Sequence, residues 1–343
     1  MAGITCPTNN GIYMNSNTSK GYTRRQFLAD GAALTAGWAL AALATRAATP
    51  GLANTTLKVA TYKGGDSYYF KDAGVDATPY QTAFAEFGAG NLIVEAMSAG
   101  SIDLGGMSEI PPVFAAASGA RIKVIAVLEG DVNNQVVLVP KTSRLTDTGQ
   151  LKGKRVGYAR STTSHFMLLQ MLKEQGLTFK DIEPLALSPQ DGLAAFQSGQ
   201  LDAWVIYGLV VEVAKQQGGR VLRTAHGVLS GNYLIAAADS AIADPLRHAA
   251  IGDYLQRTAK VYDWINRNPD RWSTRSGQLA GVSPQLFLNQ TKNRSQPYKL
   301  RAIDDGAIRS QQQVADVFAD AGLLARRINV APIWDRSFAS YFS

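Results

Sequence analysis

Cysteine is almost missing from this chain, with Cys6 alone among 343 residues. A disulfide scaffold and an all-cysteine metal site are therefore both excluded. Histidine is nearly as scarce, limited to His165, His226 and His248, which argues against a His-rich zinc or di-metal centre. Charged residues make up only 18% and form no Lys/Arg cluster, so neither disorder nor nucleic-acid binding is indicated. The marks of several enzyme classes are missing too. No Gly-x-Gly-x-x-Gly follows the first strand pattern, and no Walker loop, His-Glu-x-x-His or Gly-x-Ser-x-Gly occurs. No acidic pair sits in a pattern that demands acid–base work. The reading therefore assigns no catalytic residue, no cofactor and no metal ligand. The 46% of apolar residues is enough to build cores, and the length suits roughly two domains of ~100–200 residues.

Residues 1–53 read as an address. Thr23-Arg24-Arg25-Gln26-Phe27-Leu28 is a twin-arginine pattern, followed by an uncharged, Ala- and Leu-rich stretch over 31–45. That stretch falls short of the about 20 apolar residues needed to span a bilayer. Gly51-Leu52-Ala53 offers a small-residue cleavage site. Together these make an export signal of the twin-arginine type, implying the corresponding export machinery as a partner and the periplasm as the destination. Met14 is a second candidate start, giving a more ordinary basic segment. Lys20, Arg24, Arg25 and Arg46 against Asp30 give the leader +3, so the formal +7 of the chain becomes +4 without it.

From residue 54 onward, short β-type runs alternate with helical patterns. Strands are predicted at 57–62, 82–87, 104–107, 122–128, 136–139, 155–158, 183–186, 203–206 and 233–237. Helices are predicted at 92–99, 164–175, 190–198, 209–217, 245–268, 284–292 and 305–321. Such alternation predicts α/β layers with largely parallel pairing. Two segments repeat each other 99 positions apart. Glu95-Ala96-Met97-Ser98-Ala99-Gly100-Ser101-Ile102-Asp103-Leu104 and Ala194-Ala195-Phe196-Gln197-Ser198-Gly199-Gln200-Leu201-Asp202-Ala203 each end a helix at glycine and enter a strand. Two related lobes are therefore expected: 54–138 as the first part of lobe 1, 139–236 as lobe 2, and 237–343 as the return to lobe 1 with C-terminal helices. The stretch 138–141 reads as a crossing strand, and 233–237 as the return. A bilobal chain with two crossings places its ligand in the cleft between the lobes.

Three strand-to-helix joints carry residues suited to such a cleft. Ser161-Thr162-Thr163-Ser164-His165 sets four hydroxyls at a helix start, where amides are unpaired and the dipole is positive. One hydroxyl would suffice as a cap; four suggest an anion. Gly88, Ala89, Gly90 and Asn91 form a small-residue joint before another helix, readable as an anion loop or as an Asn cap. Ser108-Glu109-Ile110-Pro111-Pro112 is the third joint, with Ser108 a donor and Glu109 an acid favoured by the dipole. Tyr62, Trp204, Tyr207 and Tyr233 are the aromatics that would line the apolar side. Lys63 and Arg294 are the cations considered, and His165 suits a packed or capping role better than catalysis.

In order along the chain stand Tyr62-Lys63-Gly64-Gly65, Glu86-Phe87-Gly88-Ala89-Gly90, Ala99-Gly100-Ser101-Ile102-Asp103, Glu109-Ile110-Pro111-Pro112-Val113-Phe114-Ala115 and Asp202-Ala203-Trp204-Val205-Ile206. With Leu151-Lys152-Gly153-Lys154-Arg155-Val156, Gln311-Gln312-Gln313-Val314-Ala315-Asp316 and Ile333-Trp334, this set resembles the periplasmic aliphatic-sulfonate-binding proteins of ABC importers, within the nitrate/taurine/sulfonate group. The resemblance runs from Leu57 to Trp334. It implies a bilobal periplasmic-binding-protein fold, a small organic oxyanion as ligand, an ABC-importer membrane permease as partner, and a monomer. By matching position it adds the Gly88 to Asn91 loop, Ser108, Glu109, the Ser161 to His165 run and Trp204 to the ligand site. Three departures stand out. The family commonly has Asp where Glu109 stands. Its Trp-Asp-Pro run is here Tyr207-Gly208-Leu209. The segment between Gly65 and Gln81 shows no clear first helix. A desulfinase or pyrimidine-precursor synthase on the same fold would want a cysteine nucleophile or a Cys/His-rich iron site, and residues 54–343 hold no thiol. A sensor subunit presenting its ligand to a membrane receptor would use the same cleft.

Overall fold

The computed structural model describes residues 51–343, so the twin-arginine segment and most of the leader lie outside the described residues. Two sheets organise the chain. The first contains β1 (Thr56–Thr61), β2 (Gln81–Glu86), β3 (Leu104–Ser108), β4 (Ile122–Glu129), β10 (Asn232–Ala238) and β11 (Lys299–Arg301), in the order β11-β4-β10-β3-β1-β2. The second contains β5 (Gln135–Pro140), β6 (Arg155–Tyr158), β7 (Glu183–Ala186), β8 (Ala203–Tyr207) and β9 (Gly219–Thr224), in the order β7-β6-β8-β5-β9. Helices α1 (Gly90–Ser98), α2 (Ile110–Ser118), α6 (Asp239–Ala243), α7 (Pro245–Arg267), α8 (Pro269–Ala280), α9 (Pro284–Lys292) and α10 (Asp305–Asp320) come from the chain on either side of the second sheet. Helices α3 (Thr163–Glu174), α4 (Pro189–Gln197) and α5 (Leu209–Gln216) connect the strands of that sheet. The fold is the bilobal α/β architecture expected, with two crossing segments.

The strand pairing corrects one expectation. Among the described residues, β1–β2, β1–β3, β6–β7 and β6–β8 are parallel, while β10–β3, β10–β4, β11–β4, β5–β8 and β5–β9 are antiparallel. The sheets are mixed rather than largely parallel, because β5 and β10 each enter a sheet from the other lobe. The strand expected to carry the chain across near 138–141 lies wholly inside the second sheet, and the passage is made by residues 130–134. The return is made by residues 225–231, ahead of β10. The two passages touch: Gly130 N–H donates to Gly231 O at 2.9 Å. A Cβ at Gly130 would lie 2.8 Å from the Tyr233 ring, so only glycine lets that ring close over the crossing.

The internal repeat is a structural one. Gly100 and Gly199 both adopt φ 74°, the left-handed residue that ends α1 and α4. Their amides donate to Met97 O and Phe196 O, and the next amides donate to Ala96 O and Ala195 O, the pattern of a Schellman cap. Asp103 then accepts from the Lys58 amide of β1, and Asp202 from the Arg155 amide of β6, each at 2.9 Å. In both sheets the order of four strands is the same, β2-β1-β3-β10 matching β7-β6-β8-β5.

Each sheet is covered on both faces. Ile93 and Met97 of α1 and Ile251 and Leu255 of α7 pack with Leu57, Val59 and Leu104 in the largest core. In the second sheet, Val137, Val156 and Val205 face Met167, Leu168 and Met171 of α3. The opposite face, with Val136, Leu138, Trp204 and Ile206, packs on Phe196, Val211 and Ala214. A fourth cluster joins the lobes: Ile110 and Val113 of α2, Phe166 of α3, and Val314 and Phe318 of α10 are buried together.

Candidate functional site

The joint before α3 is tightly built. Thr162 is the N-cap, and its Oγ1 accepts from the Ser164 amide at 3.2 Å and donates to Ala159 O at 2.8 Å. Ser164 Oγ donates to Val205 O at 2.7 Å and accepts from the Ala159 amide at 3.0 Å. Ser164 is thus a buried tie between α3 and β8, and the expectation that it faces a ligand is corrected. Ser161 is the one non-glycine residue with positive φ among the described residues, at 56°, a conformation that costs free energy and is held by its surroundings. Its amide points to His165 Nδ1 at 3.3 Å. The His165 ring is enclosed by Tyr158, Phe179 and Phe318, at 4.8 to 5.4 Å between centroids. Burial, with Arg160 adding to it, lowers its pKa to about 4. A neutral, packed imidazole supports the loop rather than binding an anion, so its place in the predicted site is corrected too. Thr163 remains, lining a cavity at the start of α3.

That cavity is bounded from both lobes. Glu109 and Ile110 at the start of α2, Thr163 of α3, Gln135 of β5, Tyr233 of β10 and the return passage through Ser230 and Gly231 form its wall. The register of the sheets explains the convergence. Gln135 pairs with Tyr207, so both side chains project to the face that carries α3. Ser108 pairs with Tyr233 in the same way in the first sheet. The Tyr207 hydroxyl is hydrogen-bonded with Thr162. Tyr62 ends near α1 and α2: a Cβ at Gly90 would lie 2.9 Å from Met107 Cβ and Pro111 Cγ, and 3.5 Å from Tyr62 Oη. Burial raises the pKa of Tyr62, Tyr207 and Tyr233, and nearby Tyr207 adds to the rise at Tyr62. All three phenols are therefore neutral donors at neutral pH.

Helix starts differ in a way that bears on anion binding. The amides at the starts of α4, α7, α9 and α10 are capped by the side chains of Ser188, Asp244, Ser283 and Asp304. At α1 and α2, as at α5, α6 and α8, no side chain caps the first turn. The N-cap of α1 is Ala89, in extended backbone, so Asn91 is not a cap; it is exposed in the first turn, as Gly88 is just before it. Small residues thus leave the α1 amides open.

Glu109 is buried, and its carboxylate accepts from Ser230 Oγ at 2.7 Å and Asn232 Nδ2 at 3.4 Å, with Ser310 bonded to it as well. Burial raises its pKa while those bonds lower it. Its role is to tie α2 to the return passage. Trp204 is 0% exposed, lies 5.8 Å from Phe196 between ring centroids, and occupies the face opposite to Tyr207. A Cβ at Gly192 of α4 would be 2.6 Å from its Nε1. Trp204 is a core residue, which corrects its assignment to the cleft. Lys63 is exposed on the loop after β1, and Arg294 lies over Tyr298 at 5.0 Å. Gln135, Asn232 and Ser230 escaped the sequence reading, whereas the start of α2 at Ile110 is the third joint read there. One signal existed for Gln135, a lone amide ahead of the apolar run Val136-Val137-Leu138-Val139. Among the described residues no three His, Cys, Asp or Glu side chains come together to hold a metal ion.

The comparisons with known proteins bear on the family and the fold. The model of the NMT1/THI5-like family matches residues 54–271. A putative aliphatic sulfonates-binding protein of Escherichia coli (strain K12) is 31% identical over 256 residues, 74% of this chain and 79% of that protein. The alkanesulfonate-binding protein of Xanthomonas axonopodis pv. citri, solved bound to MOPS, superposes with a TM-score of 0.75 at 28% identity, covering 82% of this chain and 98% of that one. The periplasmic aliphatic sulphonate binding protein of Escherichia coli superposes with a TM-score of 0.73 at 27% identity, over 82% of this chain and 92% of that one. With a family model spanning most of the two sheets and a fold shared over four fifths of its length, this chain belongs to the NMT1/THI5-like family and has the periplasmic-binding-protein fold.

Proposed function

We propose that this protein is the solute-binding component of an ABC importer, that the twin-arginine segment within residues 1–53 sends it to the periplasm, and that it holds an organosulfur oxyanion between its lobes. An aliphatic sulfonate is the leading ligand; a sulfate ester, taurine or nitrate comes next. Lobe 1 would take residues 54–129 and 232–343 and lobe 2 residues 135–224, with the two passages between them, which moves the boundaries expected at 138 and 236 to the ends of β4 and β9. The observation that carries the reading is a narrow cavity of about 10 Å³ between the lobes, where the start of α2 from one side and Thr163 at the start of α3 from the other stand in the same wall; the lobes would part to admit a sulfonate. Helix starts favour negative charge, and a sulfonate is a permanent anion with three acceptor oxygens.

The anion would take the open amides of α1 from Gly88 to Asn91, the amides of α2, and the hydroxyls of Thr163, Ser108, Tyr62 and Tyr207. Charge-assisted hydrogen bonds of ~1.5–3 kcal/mol each mean that three to five supply much of a micromolar affinity, about −8 kcal/mol. The organic part would rest on Tyr233 and its neighbours. No step of bond making is needed, and residues 54–343 offer no thiol for a desulfinase reaction.

A thermal-shift screen of alkanesulfonates, sulfate esters, taurine, nitrate and pyrimidines tests the proposal. A cognate ligand at a hundredfold excess over its dissociation constant adds ~2.7 kcal/mol of apparent stability. The expected outcome is stabilisation by sulfonates above all others. Stabilisation by a pyrimidine alone, or by none of the sulfonates, would overturn it.

A further inference from the structure

The amide of Gln135 is oriented by a relay that leaves one atom unused. Gln135 opens β5, directly after the first passage between the lobes, and is 4% exposed. Its Nε2 donates to Tyr233 Oη at 3.1 Å. Tyr233 Oη spends its single proton on Asp131 O at 2.8 Å. The phenol can therefore only accept from Gln135, which requires the amide nitrogen, not the oxygen, on that side. Oε1 is thus committed to the other side. It is enclosed and has no hydrogen-bond partner. The same side chain lines the cavity that holds Thr163 and the start of α2. Another acceptor in that wall, the Glu109 carboxylate, already receives Ser230 and Asn232. The site thus presents one buried, unfilled acceptor on a rigid strand.

A buried carbonyl oxygen without a donor is costly, and a site built around such a group rejects ligands that cannot fill it far more strongly than a greasy pocket rejects a missing methylene. A plain alkyl chain cannot fill it. We propose that Gln135 is a specificity-determining residue whose Oε1 accepts a hydrogen bond from a hydroxyl or ammonium group on the organic part of the ligand, so that the preferred class is hydroxy- or amino-alkanesulfonates rather than plain alkanesulfonates. The inference rests on the sulfonate reading and refines it.

Calorimetry at pH 7 with propanesulfonate, 3-hydroxypropanesulfonate and 3-aminopropanesulfonate tests it, on the wild type, Gln135→Met and Gln135→Glu. The quantity read is the ratio of affinities within each protein. In the wild type at least one donor-bearing ligand binds about tenfold tighter than propanesulfonate. Gln135→Met, which keeps the length and loses the acceptor, brings that ratio close to one. Gln135→Glu enlarges the advantage of the ammonium ligand over the hydroxyl one. Should Gln135→Met fail to fold, the wild-type and Gln135→Glu ratios decide. Equal binding of all three ligands to the wild type, within about twofold, overturns the role of Gln135 and leaves the sulfonate reading standing. Binding of none of them overturns both.

Discussion

His165 and Asp66 hold their protons in opposite senses, and stability against pH should show it. His165 is buried in rings, with its pKa lowered to about 4. Between about 4 and 6.5 the unfolded chain takes up a proton there that the folded protein refuses, so this group makes stability rise with pH. Asp66, at the start of a short turn after β1, is pushed up to about 6 by burial, against which its own and the Ser67 backbone amides work. Between 3.8 and 6 the folded protein keeps a proton that the unfolded chain has released, so this group makes stability fall as pH rises. Glu109, raised by burial, acts in the same sense as Asp66. Two falling contributions thus oppose one rising contribution in the wild type, and Asp66→Asn, which removes one of the two, should gain stability toward pH 6.5 relative to the wild type. Urea midpoints at pH 4.5, 5.5 and 6.5 check this; parallel profiles for the two proteins would show that Asp66 does not titrate as argued. At this scale the sequence was a partial guide. The Ser161 to His165 run marked a real helix start in the cavity wall, yet only Thr163 of its hydroxyls lines that wall, because Thr162 and Ser164 are consumed in building the joint. Trp204 was separable from Tyr207 by strand alternation alone, since an odd spacing of three puts the two on opposite faces.

At the scale of elements, the repeat gives a pair of aspartates with one backbone role and unequal surroundings. Asp103 accepts from the Lys58 amide and from Arg247 Nη1 at 3.1 Å, with its side chain 4% exposed. Asp202 accepts from the Arg155 amide and from Arg155 Nη2 at 2.8 Å, with its side chain 34% exposed. Removing the buried carboxylate strands the Lys58 amide and takes one partner from Arg247, which keeps Asp244 and Ser240 O, whereas water reaches the exposed one. Asp103→Ala should cost about 3 kcal/mol and Asp202→Ala about 1 kcal/mol. Urea unfolding of the two variants measures the difference, and equal losses would mean that burial does not set the cost here. The strands and helices at the core of each lobe were legible because their apolar periods are long and their ends carry glycine or proline. Others were not. β9 sets Arg220 and Arg223 on either side of Val221-Leu222 at a sheet edge, without alternation, β11 has three residues, and α8 is a polar helix separated from α7 only by Asn268. The mixed pairing was hidden for another reason. Which strands become neighbours depends on where the chain crosses between lobes, and local periodicity carries no record of that.

For the whole molecule, the decisive feature is that the cavity between the lobes would meet an anion with dipoles and neutral hydroxyls. Its wall holds Thr163, Gln135, Tyr233, Ser230, Asn232 and the α2 start, together with Glu109, but no Lys or Arg. The lobes are pressed together beside it by Phe166 from α3 and Phe318 from α10, around which the α2 residues Ile110 and Val113 close. Enclosure lowers the local dielectric, so amide dipoles act at short range and bulk ions screen them little. The phenols of Tyr62, Tyr207 and Tyr233 are all raised above the ordinary tyrosine value by burial, and they remain protonated well beyond neutral pH. Affinity for a sulfonate should therefore change less than about threefold from pH 7 to 9 and from 50 to 500 mM salt, whereas a site resting on exposed cations such as Lys63 would weaken steeply as screening grows. Calorimetry across both series separates the two mechanisms. A tenfold loss over the salt range would transfer the binding energy from the helix starts to surface charge, and a tenfold loss over the pH range would require a titrating donor in the wall.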